Sequence, residues 1–290
     1  MEDEINKNVY IASLPRSGST LLGMILHQNP QCFNMGESFF WKNFPIQEIK
    51  CSCGEKNCPI LSSVYQEICQ IPEVINFYDV CQDLDKLPFT RNKVVLSYQQ
   101  KEDIINSCKG LDILADVFRS IISRRIMIDT STNIRIAKEL VHKNNWKIII
   151  LLRDPRGVLY SFKKSSIRHN KMISLNKNIN VLIDFIKNVL DIIDFPNVLI
   201  VKYEDICQKT KEELKKICSF LDIEFAENML NFKKDMGHTI MGNRMRFNSN
   251  EKIIEDLSWV SGLTQKEKGK IKRNKDLLFF YGMFNYTITN

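Results

Sequence analysis

The stretch Val9 to Leu26, VYIASLPRSGSTLLGMIL, constrains the fold more than any other. Val9 to Ser13 read as a short buried strand of β-branched, aromatic and small residues. The chain then turns through Leu14-Pro15-Arg16-Ser17-Gly18-Ser19-Thr20 into a helix whose apolar positions are Leu21, Leu22, Ile25 and Leu26. A strand, tight loop and helix in this order present unpaired backbone N–H groups and the positive end of a macrodipole. Gly18 lets the main chain approach a ligand closely, Arg16 adds a fixed cation, and Ser17, Ser19 and Thr20 add three hydroxyls, so the loop suits an oxyanion. It is not a Walker A loop, because no Lys follows Gly18. The cation is an Arg two residues before the glycine, and a guanidinium can hold two oxygens of a phosphate or sulfonyl group at once. Taken alone, the loop also fits an ordinary turn with an incidental Arg.

Further strands follow the same logic. Cys32 to Met35 reads as a short strand ending at Gly36, which sets Glu37 just past a strand end beside the loop, facing substrate. Arg125 to Asp129 is a short strand ahead of Asp129-Thr130-Ser131-Thr132, with a helix from about Ile134 to Lys143. Ile148 to Leu152 is a continuous apolar run, the mark of a central parallel strand buried on both faces, and Arg153 sits at its carboxyl end. Asp154-Pro155-Arg156-Gly157 then enters a helix carrying Ser161 in its early turns, so Arg153 and Ser161 can converge on one phosphate. Arg156 reads as structural. Val198 to Val201 is another strand, ended by Tyr203-Glu204-Asp205, and Lys211 to Leu221 is a scaffold helix. Between these, Leu61 to Arg125 is helical in pattern, divided by Pro72 and Pro88. The expectation is an α/β, P-loop-like three-layer domain: a central parallel sheet flanked by helices, in one domain of residues 1–290. A helical substrate-side insertion covers about 38–125, and a loop at about 236–262 closes over the ligand.

These stretches, taken together, resemble the PAPS-dependent sulfotransferases (PAPS is 3′-phosphoadenosine 5′-phosphosulfate) in their bacterial and Golgi forms. The PRSGST loop is similar to the family's 5′-phosphosulfate loop, Lys147 to Tyr160 with Ser161 to its 3′-phosphate segment, and Val201 to Ile206 to its YED motif. His238 to Phe247 (HTIMGNRMRF) with Asp256 and Trp259 is similar to the HxxxGNxxRF and Asp-x-x-Trp pattern of bacterial members, and Asp256 and Trp259 read as anchors of the helix that follows. The resemblance runs from residue 9 to about residue 284. It implies sulfonyl transfer from PAPS to a hydroxyl on a carbohydrate, lipid or small metabolite, releasing PAP. Arg16 and Glu37 are then catalytic, with Glu37 as general base. Arg16, Ser17, Gly18, Ser19, Thr20, Arg153, Ser161, Asn243 and Arg246 hold the nucleotide. Were Glu37 not the base, the role would pass to His27, His238 or a water. Two departures stand out. Phe39 replaces the Arg that follows the base in tyrosylprotein enzymes, and Thr132 stands where bacterial relatives carry Lys. Two alternatives stay open: a non-catalytic PAP-binding protein of the same fold, and a P-loop kinase or NTPase, which would require the missing Walker Lys.

Composition adds compartment and partners. A net charge of +7 fits an anionic ligand, but the lysines are scattered and no nucleic-acid signature is present. The acidic start Met1-Glu2-Asp3-Glu4 and the absence of a long apolar run predict a cytoplasmic chain without a membrane span. Nine cysteines in that setting read as thiols. Cys51-x-Cys53-x4-Cys58 has the flavour of a zinc site, but structural zinc takes four ligands and no fourth Cys or His lies nearby along the chain, so no metal is expected. A thiol pair, or a disulfide formed on oxidation, is the other reading. The sequence says nothing of oligomeric state.

Overall fold

The computed structural model describes residues 7–38, 50–86, 97–170, 174–248 and 252–288. Five strands, β1 (Asn8–Ser13), β2 (Cys32–Gly36), β3 (Ile126–Thr132), β4 (Trp146–Leu152) and β5 (Val198–Lys202), form one sheet in the order β2-β3-β1-β4-β5. Every pairing in it is parallel. The helices are α1 (Ser19–His27), α2 (Pro59–Ile68), α3 (Pro72–Lys86), α4 (Tyr98–Ile122), α5 (Ile134–Leu140), α6 (Pro155–Arg168), α7 (Leu175–Leu190), α8 (Tyr203–Gln208), α9 (Thr210–Leu221), α10 (Met245–Asn248), α11 (Trp259–Gly262), α12 (Gln265–Lys272) and α13 (Lys275–Gly282).

The three layers follow from the two-residue period of the strands. On β1 and β4, Val9, Ile11, Ile149 and Leu151 face one core with Leu22, Ile25 and Leu26 of α1 and Leu214 and Ile217 of α9. Tyr10, Ala12, Ile148, Ile150 and Leu152 face the opposite core with Leu111, Leu114 and Phe118 of α4, Ile136 and Leu140 of α5, and Leu182 and Ile186 of α7. Each strand therefore needs apolar residues at successive positions, which is why Ile148 to Leu152 shows no polar alternation. Burying one such aliphatic side chain contributes roughly 1.5–3 kcal/mol. The edge of the second core is fixed by polar contacts: Trp146 Nε1 donates to Asp112 Oδ1 at 2.6 Å, and Tyr10 Oη donates to the Asn133 carbonyl at 3.1 Å.

Two boundaries differ from the sequence expectation. β3 continues past Asp129 to Thr132, because Asp129 Oδ1 accepts the Ser131 N–H at 2.6 Å and turns the polar end back into register with Ala12 of β1. α5 stops at Leu140, short of Lys143. Residues 39–49 and 87–96 of the expected 38–125 insertion, with Phe39 and Pro88, lie outside the described residues; α2, α3 and α4 make up the described part. No described helix is long and apolar enough to cross a membrane.

Candidate active site

In an open parallel sheet, ligands bind beyond the carboxyl ends of the strands, where neighbouring connections part. Leu14 to Gly18, Glu37, Thr132, Arg153 and Tyr203 all stand at that edge, directly after β1, at the ends of β2 and β3, and after β4 and β5.

The first loop is shaped by two left-handed residues, Arg16 (φ 76°) and Gly18 (φ 102°). Gly18 is required on two counts, its positive φ and the Tyr203 ring, 2.6 Å from where a Cβ would sit. Among the described residues no side chain caps α1, and its first turn holds no acidic residue. The N–H groups that a capping side chain would satisfy therefore stand open to an anion, with the helix dipole behind them.

Charge gathers around this opening. Burial first, then the like charge of Arg168, pulls the half-buried Arg16 guanidinium below its ordinary pKa, with Glu37 opposing and Arg153 adding to the fall. Arg168, at the end of α6, escaped the sequence reading, because its proximity to Arg16 depends on how α6 packs. Such crowding of cations is relieved by an incoming anion.

Arg153 is only 7% exposed and is held on every side. Its Nη1 donates to the Arg16 carbonyl at 2.8 Å, its Nη2 donates to the Asp256 carbonyl at 3.1 Å and lies 3.3 Å from Asp256 Oδ2, and its guanidinium carbon sits 4.5 Å from the Tyr203 ring centroid. Burial raises the Asp256 carboxyl, but hydrogen bonds from Ser258 and the charges of Lys164 and Arg153 outweigh it and hold the group down to about 2. Asp256, expected from sequence to anchor the next helix, is thus also the anion paired with Arg153. Ser161 is half-buried on α6, and no hydrogen bond among the described residues joins it to Arg153. Arg156 is structural, as expected: it pairs with the N-cap Asp154 at 2.6 Å and lies 4.2 Å from the Trp259 ring centroid. The Tyr203-Glu204-Asp205 segment packs beneath: Glu204 accepts from the Asp154 N–H at 2.9 Å and from Tyr286 Oη at 2.8 Å.

The segment from Gly237 to Arg246 folds over the other side of the loop. Ile240 bridges to Gly36, whose positive φ (83°) and 2.5 Å clearance to the Ile240 carbonyl leave no room for a Cβ. The Asn243 N–H donates to Thr20 Oγ1 at 3.0 Å, and Gly242 is close enough that a Cβ there would lie 3.1 Å from Thr20 Oγ1 and 3.8 Å from Glu37 Oε1. Arg246 lies inward, 7% exposed, with Nη1 donating to the Thr239 carbonyl at 2.8 Å. Burial lowers its pKa, and the neighbouring Cys51 and Glu37 push it back up. Glu37 therefore lies beside Gly242, within electrostatic reach of both Arg16 and Arg246. Thr132 closes β3 with φ 70°, and Lys138 is turned away to Asp191 at 2.6 Å, so it does not stand in for the missing Lys.

The two histidines held as alternative bases are engaged elsewhere. His27 is buried, with Nδ1 accepting the Asn34 N–H at 3.2 Å and Nε2 lying 3.3 Å from Asp235 Oδ2. His238 Nδ1 lies 3.1 Å from Cys58 Sγ and 3.8 Å from Cys51 Sγ.

A second carboxylate, Asp129, was missed. It is fully buried in the middle of β3, where Ser38 Oγ, next to Glu37, donates to it. Burial pushes its carboxyl up to about 6 against the hydrogen bonds of Ser131 and Ser38. A carboxyl raised in the folded state contributes stability below its unfolded pKa of 3.8 and loses it as the pH rises through 6. Denaturant unfolding is expected to show the wild type gaining about 1 kcal/mol more than Asp129→Asn between pH 7 and pH 5. Equal gains in the two proteins would contradict it.

The model of the sulfotransferase domain matches residues 6–278. The chain belongs to the sulfotransferase domain family. This excludes the kinase or NTPase reading and makes the protein a sulfonyl-transferring enzyme. Among solved structures, the sulfotransferase domain from the curacin biosynthetic pathway is 17% identical, with a TM-score of 0.54 over 98% of this chain and 99% of that one. The sulfotransferase from Alicyclobacillus acidocaldarius is 12% identical, with a TM-score of 0.50 over 97% and 96%. Mouse sulfotransferase SULT7A1, complexed with PAP, is 16% identical, with a TM-score of 0.49 over 97% and 88%. At such identities the first two likenesses, with TM-scores of 0.54 and 0.50, speak for the fold alone. No curated protein matches the chain by sequence.

Proposed function

We propose that this sulfotransferase uses PAPS as sulfonyl donor and a carbohydrate, lipid or small-metabolite hydroxyl as acceptor, with residues 1–290 working as one domain. The observation that carries the donor reading is the uncapped start of α1 behind left-handed Arg16 and Gly18, with buried Arg153 fixed 2.8 Å from the Arg16 carbonyl. That cradle fits a phosphosulfate, and a second cation site adjoins it.

PAPS supplies a sulfonyl group on a phosphate that leaves without needing a proton at neutral pH. Within the chain, the N–H groups of Gly18, Ser19 and Thr20 and the hydroxyls of Ser17, Ser19 and Thr20 hold the 5′-phosphate oxygens. Arg16 neutralises the charge that develops between phosphate and sulfonyl, a positioning and electrostatic task like that in phosphoryl transfer. Glu37 takes the acceptor's proton, with Arg16 and Arg246 both within its electrostatic reach. Arg153 and Ser161 take the 3′-phosphate, Arg153 giving up part of its pairing with Asp256 to do so. Asn243 and Arg246 hold the covering loop on Thr20 and Thr239. The helices α2 to α4 supply the acceptor side.

The direct test is incubation with PAPS and a panel of sugar, lipid and small alcohol acceptors, with PAP release and product mass as readouts. Sulfated product with one acceptor class supports the reading. PAPS left intact by every class, alongside a control sulfotransferase that turns over, would overturn it.

A further inference from the structure

Three cysteines and a histidine that no part of the transfer chemistry uses meet beside the covering loop. Cys51 and Cys53 precede α2, Cys58 is its N-cap residue, and His238 arrives from a position 180 residues along from Cys58. The expectation that no fourth ligand lies nearby holds along the chain and fails in space. The three Sγ atoms and one imidazole nitrogen all lie within 4.8 Å of one another. A tetrahedral Zn²⁺, with Zn–S of about 2.3 Å and Zn–N of about 2.0–2.1 Å, sets its ligand atoms about 3.5–3.8 Å apart. The separations of 3.1 and 3.8 Å from His238 Nδ1 to Cys58 and Cys51 bracket that span.

We propose that Cys51, Cys53, Cys58 and His238 form a structural Zn²⁺ site that staples the covering loop to the start of α2. Cys58 stands at the positive end of a ten-residue helix, which favours an anionic sulfur there. Three thiolates and a neutral imidazole around Zn²⁺ carry a net charge of −1, and the three thiol protons are released to solvent on binding. Buried Arg246 lies within electrostatic reach of Cys51 to offset it, and its Nε has no hydrogen-bond partner among the described residues. With four protein ligands and no open position, the site is closed in the manner of structural zinc.

The staple has a mechanical consequence. Between the ligands, Ser52 pairs with the same loop: its N–H donates to the Thr239 carbonyl at 3.2 Å, its Oγ donates to the Gly237 carbonyl at 2.9 Å, and it accepts the Thr239 N–H at 2.9 Å. Two residues after His238, Ile240 bridges to Gly36, next to Glu37. The metal would therefore fix one wall of the site. That statement stands whether or not PAPS is the donor.

The test is metal analysis of the chain purified under reducing conditions without chelator, followed by Co²⁺ exchange. The expected result is one zinc per chain and, after exchange, the visible ligand-field and thiolate charge-transfer bands of tetrahedral Co²⁺. Zinc should fall to a small fraction in Cys53→Ser, whose side chain is exposed, and in His238→Asn, but remain in Cys69→Ser, an exposed cysteine outside the cluster. Chelation should lower Tm by about 5–10 °C, restored by Zn²⁺ alone. Wild-type protein that is folded, metal-free and silent with Co²⁺ would overturn the proposal, as would a Cys51–Cys58 disulfide found by mass spectrometry in protein never exposed to oxidant. Retention of stoichiometric zinc in both ligand variants would also overturn it.

Discussion

Replacing Arg16 by alanine is expected to lower kcat by about 10²- to 10³-fold, the cost of about 2.7–4 kcal/mol that follows loss of one donor at a developing charge. The substitution is clean for a structural reason. Arg153 holds the loop through the Arg16 carbonyl, which alanine retains. The left-handed φ of 76° strains alanine and arginine alike, since both carry a Cβ. The loss therefore reports the guanidinium and not the backbone. Arg16→Lys should recover part of the rate, because it keeps the charge and loses the two-pronged contact. Steady-state kinetics with saturating acceptor checks both variants. An alanine variant with wild-type kcat would pass the role to Arg168, the other cation that burdens Arg16.

Glu37→Gln is expected to lower kcat by about 10²- to 10⁴-fold, the range for loss of a positioned base. PAP affinity should stay within about twofold, because the amide keeps the shape and removes only the proton acceptor. The alternative bases are poorly placed to rescue it. His27 is buried against Asn34 and Asp235, and His238 lies among the cysteines. Asp129 is committed to Ser38 and Ser131. Full turnover in the variant would remove Glu37 from the chemistry and point to water as the base. A parallel loss of PAP affinity would assign it to the nucleotide instead.

Local chemistry was readable before the structure, and long-range chemistry was not. The strand, loop and helix from Asn8 to His27 follow from adjacent residues, so the anion cradle is visible in twenty letters of sequence. The apolar run Ile148 to Leu152 likewise declares a strand buried on both faces, and Gly36 followed by Glu37 declares a strand end. Asp256 reads as a helix anchor because nothing local shows that β4 delivers Arg153 to it. Asp129 reads as the end of a strand, since its partner Ser38 lies 91 residues away. The fourth member of the cysteine cluster is invisible for the same reason, and the HTIMGNRMRF pattern places His238 in the loop expected to close over the ligand. A signal was present in principle: three cysteines with metal-type spacing call for a search of every histidine in the chain, however distant.

The measurement that bears most directly on the account is calorimetric titration of the protein with PAP, with ADP and 5′-AMP as controls and Arg153→Ala beside the wild type. PAP is expected to bind with at least about tenfold preference over 5′-AMP, a difference of about 1.4 kcal/mol or more for the added 3′-phosphate, and Arg153→Ala to abolish this preference. Binding of ADP in preference to PAP, or a PAP preference that survives the loss of Arg153, would contradict it.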